Sequence, residues 1–162
     1  MKLDAAQTGW KGVVRHLHYA TAGSQPMQAA EQLELEAGVG IVGDRYATGK
    51  GFYSDLPEPG RQITLFEIET LEAMRRDHKT ELAPHEHRRN VTVQGVPLNH
   101  LVGRRFKLGE TVLEATRLST PCKHIEDVTG KVISRWMIHR SGLNCIILEG
   151  GVVRIGDAVV PV

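Results

Sequence analysis

Apolar and polar residues alternate with a period of two along several short stretches of the chain, the pattern of a strand with one buried and one wet face. In residues 12–20, Val13, Arg15, Leu17 and Tyr19 alternate with Val14, His16 and His18. In residues 32–38, Leu33, Leu35 and Ala37 alternate with Glu34 and Glu36. Residues 90–95, 104–109, 111–118, 144–151 and 152–160 read as further strands. Gly109 in "KLGETV" predicts one hairpin turn, and Gly150 with Gly151 in "LEGGVV" predicts another, because tight turns place glycine where φ is positive.

Helical spacing appears in two places. Residues 64–67, "TLFE", have the form of a capping box, in which Thr64 and Glu67 would satisfy each other's backbone donors. Leu65, Ile68, Leu71 and Met74 follow at helical intervals, Glu72 and Arg76 stand four apart as a surface ion pair, and the helix is expected to end near Asp77 or His78. Residues 130–142 give a shorter candidate, with Val132 four before Trp136, Ile133 four before Met137, and Gly142 as its C-terminal cap. Many short strands with two or three helices predict a mainly β fold, an open or closed β-barrel with peripheral helices; a sandwich shares the same pattern. Strands at both chain ends favour closure, which removes exposed edges.

The 162 residues suit one domain, taken as 1–162, with no repeat or linker to divide it. Hydrophobic residues make up 41% and charged residues 24%, a balance that fits neither disorder nor a membrane protein. No apolar run approaches a membrane span and no apolar segment follows Lys2 as in a secretory signal, so the expected location is the cytoplasm. With 20 basic against 19 acidic residues the net charge is +1, which argues against binding to a nucleic-acid duplex and leaves room for a small anion held by a local cluster.

Two cysteines, Cys122 and Cys145, are too few for a disulfide framework. Cys145 lies among Leu143, Ile146 and Ile147 and reads as a small core residue. Cys122 follows a proline in the polar stretch "RLSTPCKHIEDVTG", beside Lys123 and His124 and five residues after Arg117. Nearby positive charge favours a thiolate, which can ligate a soft metal or carry sulfur as a persulfide; an ordinary free cysteine in a turn is the plain alternative. Arg88 and Arg89 in "HEHRRN" offer planar forks of donors suited to phosphate, although a solvated basic loop has the same residues. His85 and His87 have the spacing of two metal ligands but no second pair. The "GIVGDRYATGKGF" stretch fails the phosphate-loop pattern in spacing and in the residue after Lys50, and stands as a glycine-rich turn presenting Asp44 and Arg45. Asp157 reads as a turn carboxylate.

In order, "GIVGDR" (40–45), "RQITLFEIETLEAM" (61–74), "RRNVTVQGVPLNHLVGRRFKLGETVLEATRLSTPCKHI" (88–125), "HRSGLNCIILEGG" (139–151) and "VRIGDAV" (153–159) resemble the MOSC domain, named for the C-terminal part of molybdenum cofactor sulfurases. The resemblance implies a strongly bent, mostly antiparallel closed β-barrel with helices at its rim. It implies that Cys122 ligates molybdenum or carries sulfur to the molybdenum cofactor (molybdopterin). Arg88, Arg89 and Asn90 would then lie at the pterin phosphate, with Lys123, His124 and Arg140 in the same pocket. The pyridoxal-phosphate desulfurase domain of the sulfurases and the extra N-terminal β-rich region of larger relatives have no counterpart here. Two activities fit the resemblance. One is reduction of N-hydroxylated or similar small molecules with a separate redox partner, since no iron–sulfur cysteine set is present. The other is carriage of sulfur from a donor protein, or delivery of the cofactor, without turnover.

Overall fold

The computed structural model describes residues 9–56 and 58–162. Seven strands close a barrel: β1 (Gly12–Tyr19), β5 (Ile63–Glu67), β6 (Val91–Gln94), β7 (Arg105–Leu108), β8 (Thr111–Leu118), β9 (Leu143–Glu149) and β11 (Ala158–Pro161). Around the barrel the order is β11, β7, β8, β9, β5, β6, β1, and β1 returns to β11 through Gly12↔Val159 and Val13↔Ala158. The first and last strands therefore seal the barrel, as the strands at both chain ends led us to expect. Past Gly12 and Val13 the same edge of β1 pairs instead with β2 (Gln28–Ala30), through Leu17↔Ala30 and Tyr19↔Gln28. Shifts in register, between Val14 and His16 of β1 and between Ala115 and Arg117 of β8, mark the bulges that help strands bend into a barrel. A small sheet of β10 (Gly151–Arg154), β3 (Gln32–Glu36) and β4 (Gly40–Ile41) packs alongside.

Alternation places the core. Leu33 and Leu35 of β3 are buried between exposed Gln32, Glu34 and Glu36, and Phe106 and Leu108 of β7 between exposed Arg105 and Lys107. With Val14, Leu17, Val91, Val93, Leu113 and Val159 they form one apolar core. Cys145 is fully buried in this cluster, and burial pushes its thiol well up from the ordinary cysteine value. A second apolar cluster lies outside the barrel wall: Phe66, Met74, Leu82, Ile125, Ile133 and Met137.

Among these barrel neighbours β5 and β6 are the parallel pair, so the chain must cross over between them. The crossover carries α1 (Ile68–His78), which ends where Lys79 turns left-handed at φ 49°. Residues 64–67 are strand rather than helix cap: Glu67 is the residue before α1 and makes no side-chain capping bond, while the Thr64 hydroxyl goes to Asn90. The capping pattern loses because β5 is a central strand flanked on both sides, which turns Ile63 and Leu65 into the barrel and Phe66 into the outer cluster. The helix does end at His78, but Arg76 pairs with Asp77 rather than Glu72.

The second helix also lies elsewhere than its spacing predicts. Helix α2 (Lys123–Thr129) starts directly after Cys122 and stops at Gly130, which takes the left-handed conformation. Residues 134–137 form only a 3-10 turn, and Val132 is 74% exposed. Gly109 turns the β7–β8 hairpin, with Leu108↔Thr111 beside it. Gly150 and Gly151 make no hairpin: β9 pairs with β5 and β8, whereas β10 leaves to join β3. Residues 152–160 split into β10 and β11 around a turn in which the Asp157 carboxylate accepts from the Arg154 amide. No helix is long and apolar enough to cross a membrane among the described residues.

Candidate functional site

A polar row crosses the outer wall of the barrel where apolar residues would otherwise face outward. Arg117 of β8 stands opposite Asn144 of β9, and Asn144 opposite Thr64 of β5. Asn90, just before β6, extends the row: its side-chain oxygen accepts from the Thr64 amide and hydroxyl, each at 3.1 Å, and its amide nitrogen donates to the His18 carbonyl. Ser119 donates to the Asn144 side-chain oxygen. Register alone thus assembles the floor of a cleft from strands far apart in sequence.

Arginines supply the walls. The cleft is lined by Arg45, Arg61, Arg88, Arg89 and Arg117. Arg45 is buried and donates to Asp44 at 3.1 Å and to the Arg88 carbonyl at 3.3 Å. Asp44, 1% exposed, also accepts from the Ala20 and Tyr46 amides, so this glycine-rich turn is held by its own carboxylate. Arg88 has φ 63° and donates to the Gln25 carbonyl at 2.8 Å. Arg89 donates to the Ser141 carbonyl at 3.0 Å and to the Ser141 hydroxyl at 3.2 Å. Burial, then the charge of Arg45, brings the Arg88 guanidinium down to about 10. Burial also brings Arg89 down to about 10, with the neighbouring Cys122 acting in the opposite direction. Both remain cationic at neutral pH. Two carboxylates offset five guanidinium groups: Asp44 on Arg45, and Glu58, which accepts from Arg117 at 2.6 Å and lies 3.6 Å from Arg61.

Cys122 is partly exposed and lines the same cleft. Its extended backbone, φ −140° and ψ 164°, precedes α2, so the thiol stands at the junction of strand-side and helix-side walls. His124 lies flat on Phe52, with ring centroids 3.8 Å apart and planes 13° apart, and Tyr53 stands edge-on to both. Burial, followed by the charges of Arg88 and Arg45, lowers the His124 imidazole and favours its neutral form. Burial, followed by the neighbouring Cys122, pushes the Tyr53 hydroxyl up to about 12, so it stays protonated.

Of the residues singled out in the sequence, Cys122, Arg88, Arg89 and His124 share the cleft lining. Asn90 is 2% exposed and lies behind the lining, bracing Thr64. Lys123 is exposed outside it, and Arg140 lies outside it with Nε on the Trp136 carbonyl. The spacing of His85 and His87 does not make a ligand pair: His85 is exposed, while buried His87 meets the Thr92 hydroxyl and accepts from the Arg89 amide. Among the described residues no group of three or more His, Cys, Asp or Glu is placed to hold a metal ion. Arg61, Tyr46, Phe52, Tyr53 and Asn144 were not singled out as candidates. They share no sequence signal, since Tyr46, Phe52 and Tyr53 lie in turns and Asn144 inside β9, and the fold decides which of them converge.

The model of the MOSC domain matches residues 45–160. The chain belongs to the MOSC domain family. Among solved structures, this MOSC protein is similar to the YuaD protein of Bacillus subtilis, with TM-score 0.77 and 22% identity over 93% of this chain and 96% of that one. It is also similar to YiiM of Geobacillus stearothermophilus, with TM-score 0.72 and 11% identity over 93% of this chain and 75% of that one. YiiM of Escherichia coli matches with TM-score 0.64 and 17% identity over 93% of this chain and 69% of that one. These likenesses establish the fold. No match is found among curated proteins.

Proposed function

We propose that the cleft binds the molybdenum cofactor, with the Cys122 thiolate as metal ligand and Arg88 and Arg89 at the pterin phosphate, in the reduction of N-hydroxylated or similar small molecules. The observation that carries the reading is one soft sulfur donor sharing a cleft with five guanidinium groups. Two buried polar atoms of the same lining, Arg61 Nε and His124 Nε2, have no partner among the described residues, as expected of a site shaped to a polar ligand. The donor set therefore fits a phosphorylated group that also bears a soft metal.

When bound, the cofactor supplies two-electron redox chemistry at its metal. The chain's own residues bind and orient. Arg88 and Arg89 are pre-set by their bonds to the Gln25 and Ser141 carbonyls, so little side-chain freedom is lost when an anion arrives. Tyr53 keeps its proton and holds it beside Cys122, and neutral His124 offers Nε2 to the cleft. The two electrons would come from a separate redox partner. Protein purified from cells that make the cofactor should contain molybdenum and pterin, and Cys122→Ala should lose the metal. Full retention of molybdenum by that variant contradicts the ligand assignment.

Partial exposure of Cys122 favours a second reading, sulfur carriage. A donor protein's persulfide would pass its outer sulfur to the Cys122 thiolate and leave as a free thiolate. Incubation with a cysteine desulfurase followed by mass spectrometry tests it: a 32 Da gain on Cys122, roughly one sulfur atom, supports carriage, and unmodified Cys122 under conditions that load a known carrier opposes it.

A further inference from the structure

The five cleft arginines are not held alike. Arg45, Arg88 and Arg89 are each fixed by backbone carbonyls or by Asp44. Arg117 is fixed by Glu58 and the Leu118 carbonyl. Among the described residues Arg61 has only a long contact to Glu58 at 3.6 Å and the face of Tyr53, 4.9 Å from its guanidinium carbon, and its buried Nε donates to none of them. An N–H of a permanent cation, shielded from water and unpartnered, is expensive unless a ligand acceptor completes it.

Position adds a second argument. A neighbouring cavity opens beside the cleft, lined in part by Val39, Ser54, Glu58 and Gln62, and the two share Tyr46, Tyr53 and Arg61. Arg61 and Tyr53 therefore stand as the partition between the cleft and a side chamber. Glu58 bridges Arg61 and Arg117, which keeps this pair of guanidinium groups together and partly neutralised until a competing anion arrives.

We infer that Arg61, supported by Arg117, forms a second anion subsite of the cleft, separate from Arg88 and Arg89, and that it recognises a carboxylate or phosphate carried by the substrate. The substrate class is thereby narrowed to small molecules with an anionic group, reaching the cleft past the Arg61–Tyr53 partition. The inference rests on the proposed function only in giving Arg88 and Arg89 to the cofactor's phosphate; the subsite itself rests on Arg61 and its surroundings.

Inorganic phosphate is a sufficient probe. Calorimetric titration of the cofactor-free full chain should show two phosphates bound per chain, with Arg61→Gln and Arg88→Gln each removing a different one. Removal means weakening by roughly tenfold or more, the scale of a single charge-assisted hydrogen bond. Glu58→Gln should tighten the Arg61 site several-fold, since it removes the carboxylate that competes for both guanidinium groups; a purely structural role for Glu58 gives no such gain. Circular dichroism melting confirms that each variant is folded. Protein loaded with cofactor should still bind one phosphate, and Arg61→Gln should abolish that binding while keeping its molybdenum. Two phosphates retained in Arg61→Gln, no tightening in Glu58→Gln, or loss of cofactor in Arg61→Gln as severe as in Arg88→Gln each overturns the subsite. Absence of molybdenum from wild-type protein defeats the cofactor reading alone, and the two-phosphate result then still tests Arg61.

Discussion

Arg45 donates through Nη2 to the backbone carbonyl of Arg88 at 3.3 Å, joining positions 43 apart in the chain. The bond ties the glycine-rich turn to the arginine pair before β6, and Asp44 anchors it from the other side. Asp44 is 1% exposed and accepts from Ala20, Arg45 and Tyr46. Asp44→Ala leaves a buried guanidinium and two amides without their acceptor and is expected to lower stability by about 3–5 kcal/mol, read as a shift in the urea midpoint. Asp44→Asn keeps the shape and should lose less.

The two cysteines should separate cleanly. A thiol reagent should label one cysteine per native chain, at partly exposed Cys122, and both in denaturant, because Cys145 is fully buried in the barrel core. Cys145→Ser buries a hydroxyl among Ile63, Ala115 and their neighbours and should destabilise by about 1–3 kcal/mol. Cys122→Ser should leave the melting temperature nearly unchanged. Peptide mapping of the labelled native protein identifies the site.

Stability should fall as the solution is acidified. His18 is 6% exposed, and burial, with the charges of His16 and His85, lowers it to about 4. His87 is lowered too, first by burial and then by Arg89. A histidine lowered on folding binds more protons when unfolded, so its full contribution is present above about pH 6.5 and is lost as pH falls toward the folded value. His18 is expected to remove roughly 2 kcal/mol between pH 7.5 and pH 5, and His87 acts in the same direction. Urea titrations at the two pH values measure the loss, and His18→Gln should flatten the dependence.

Much of the sheet structure was legible because alternation survives where one face is wet, as in Leu33 and Leu35 among Gln32, Glu34 and Glu36 of β3 or Phe106 beside Arg105 and Lys107 of β7. Where both faces are covered the code is silent. Thr64–Glu67 carries a helix-cap pattern, but β5 needs Thr64 for the cleft floor and Phe66 for the outer cluster, and tertiary packing decides. Helix α2 shows no period because seven residues contain too few turns, and Gly130, from which the spacing predicts a helix, is instead its left-handed stop. At the site, reactive residue types next to turns, Cys122, Arg88 and Arg89, could be picked out. Arg61 and Asn144 could not, since only the tertiary fold brings them to the same cleft.

Arg89 holds Ser141 through two guanidinium nitrogens, a fork that lysine cannot copy. Arg89→Lys keeps the charge and is expected to weaken phosphate binding by roughly tenfold, the loss of one charged hydrogen bond. Calorimetric titration at fixed ionic strength reads it, and unchanged affinity would reduce Arg89 to a source of charge alone.

The central proposal is that Cys122, Arg88 and Arg89 serve one bound group, the cofactor. Its most direct measurement is molybdenum and pterin per chain, by elemental analysis and pterin fluorescence, in wild-type and Cys122→Ala protein purified from cofactor-making cells. The expected result is near-stoichiometric metal and pterin in the wild type, with the metal lost in the variant. Wild-type protein free of both, or a variant as rich in molybdenum as its parent, contradicts it.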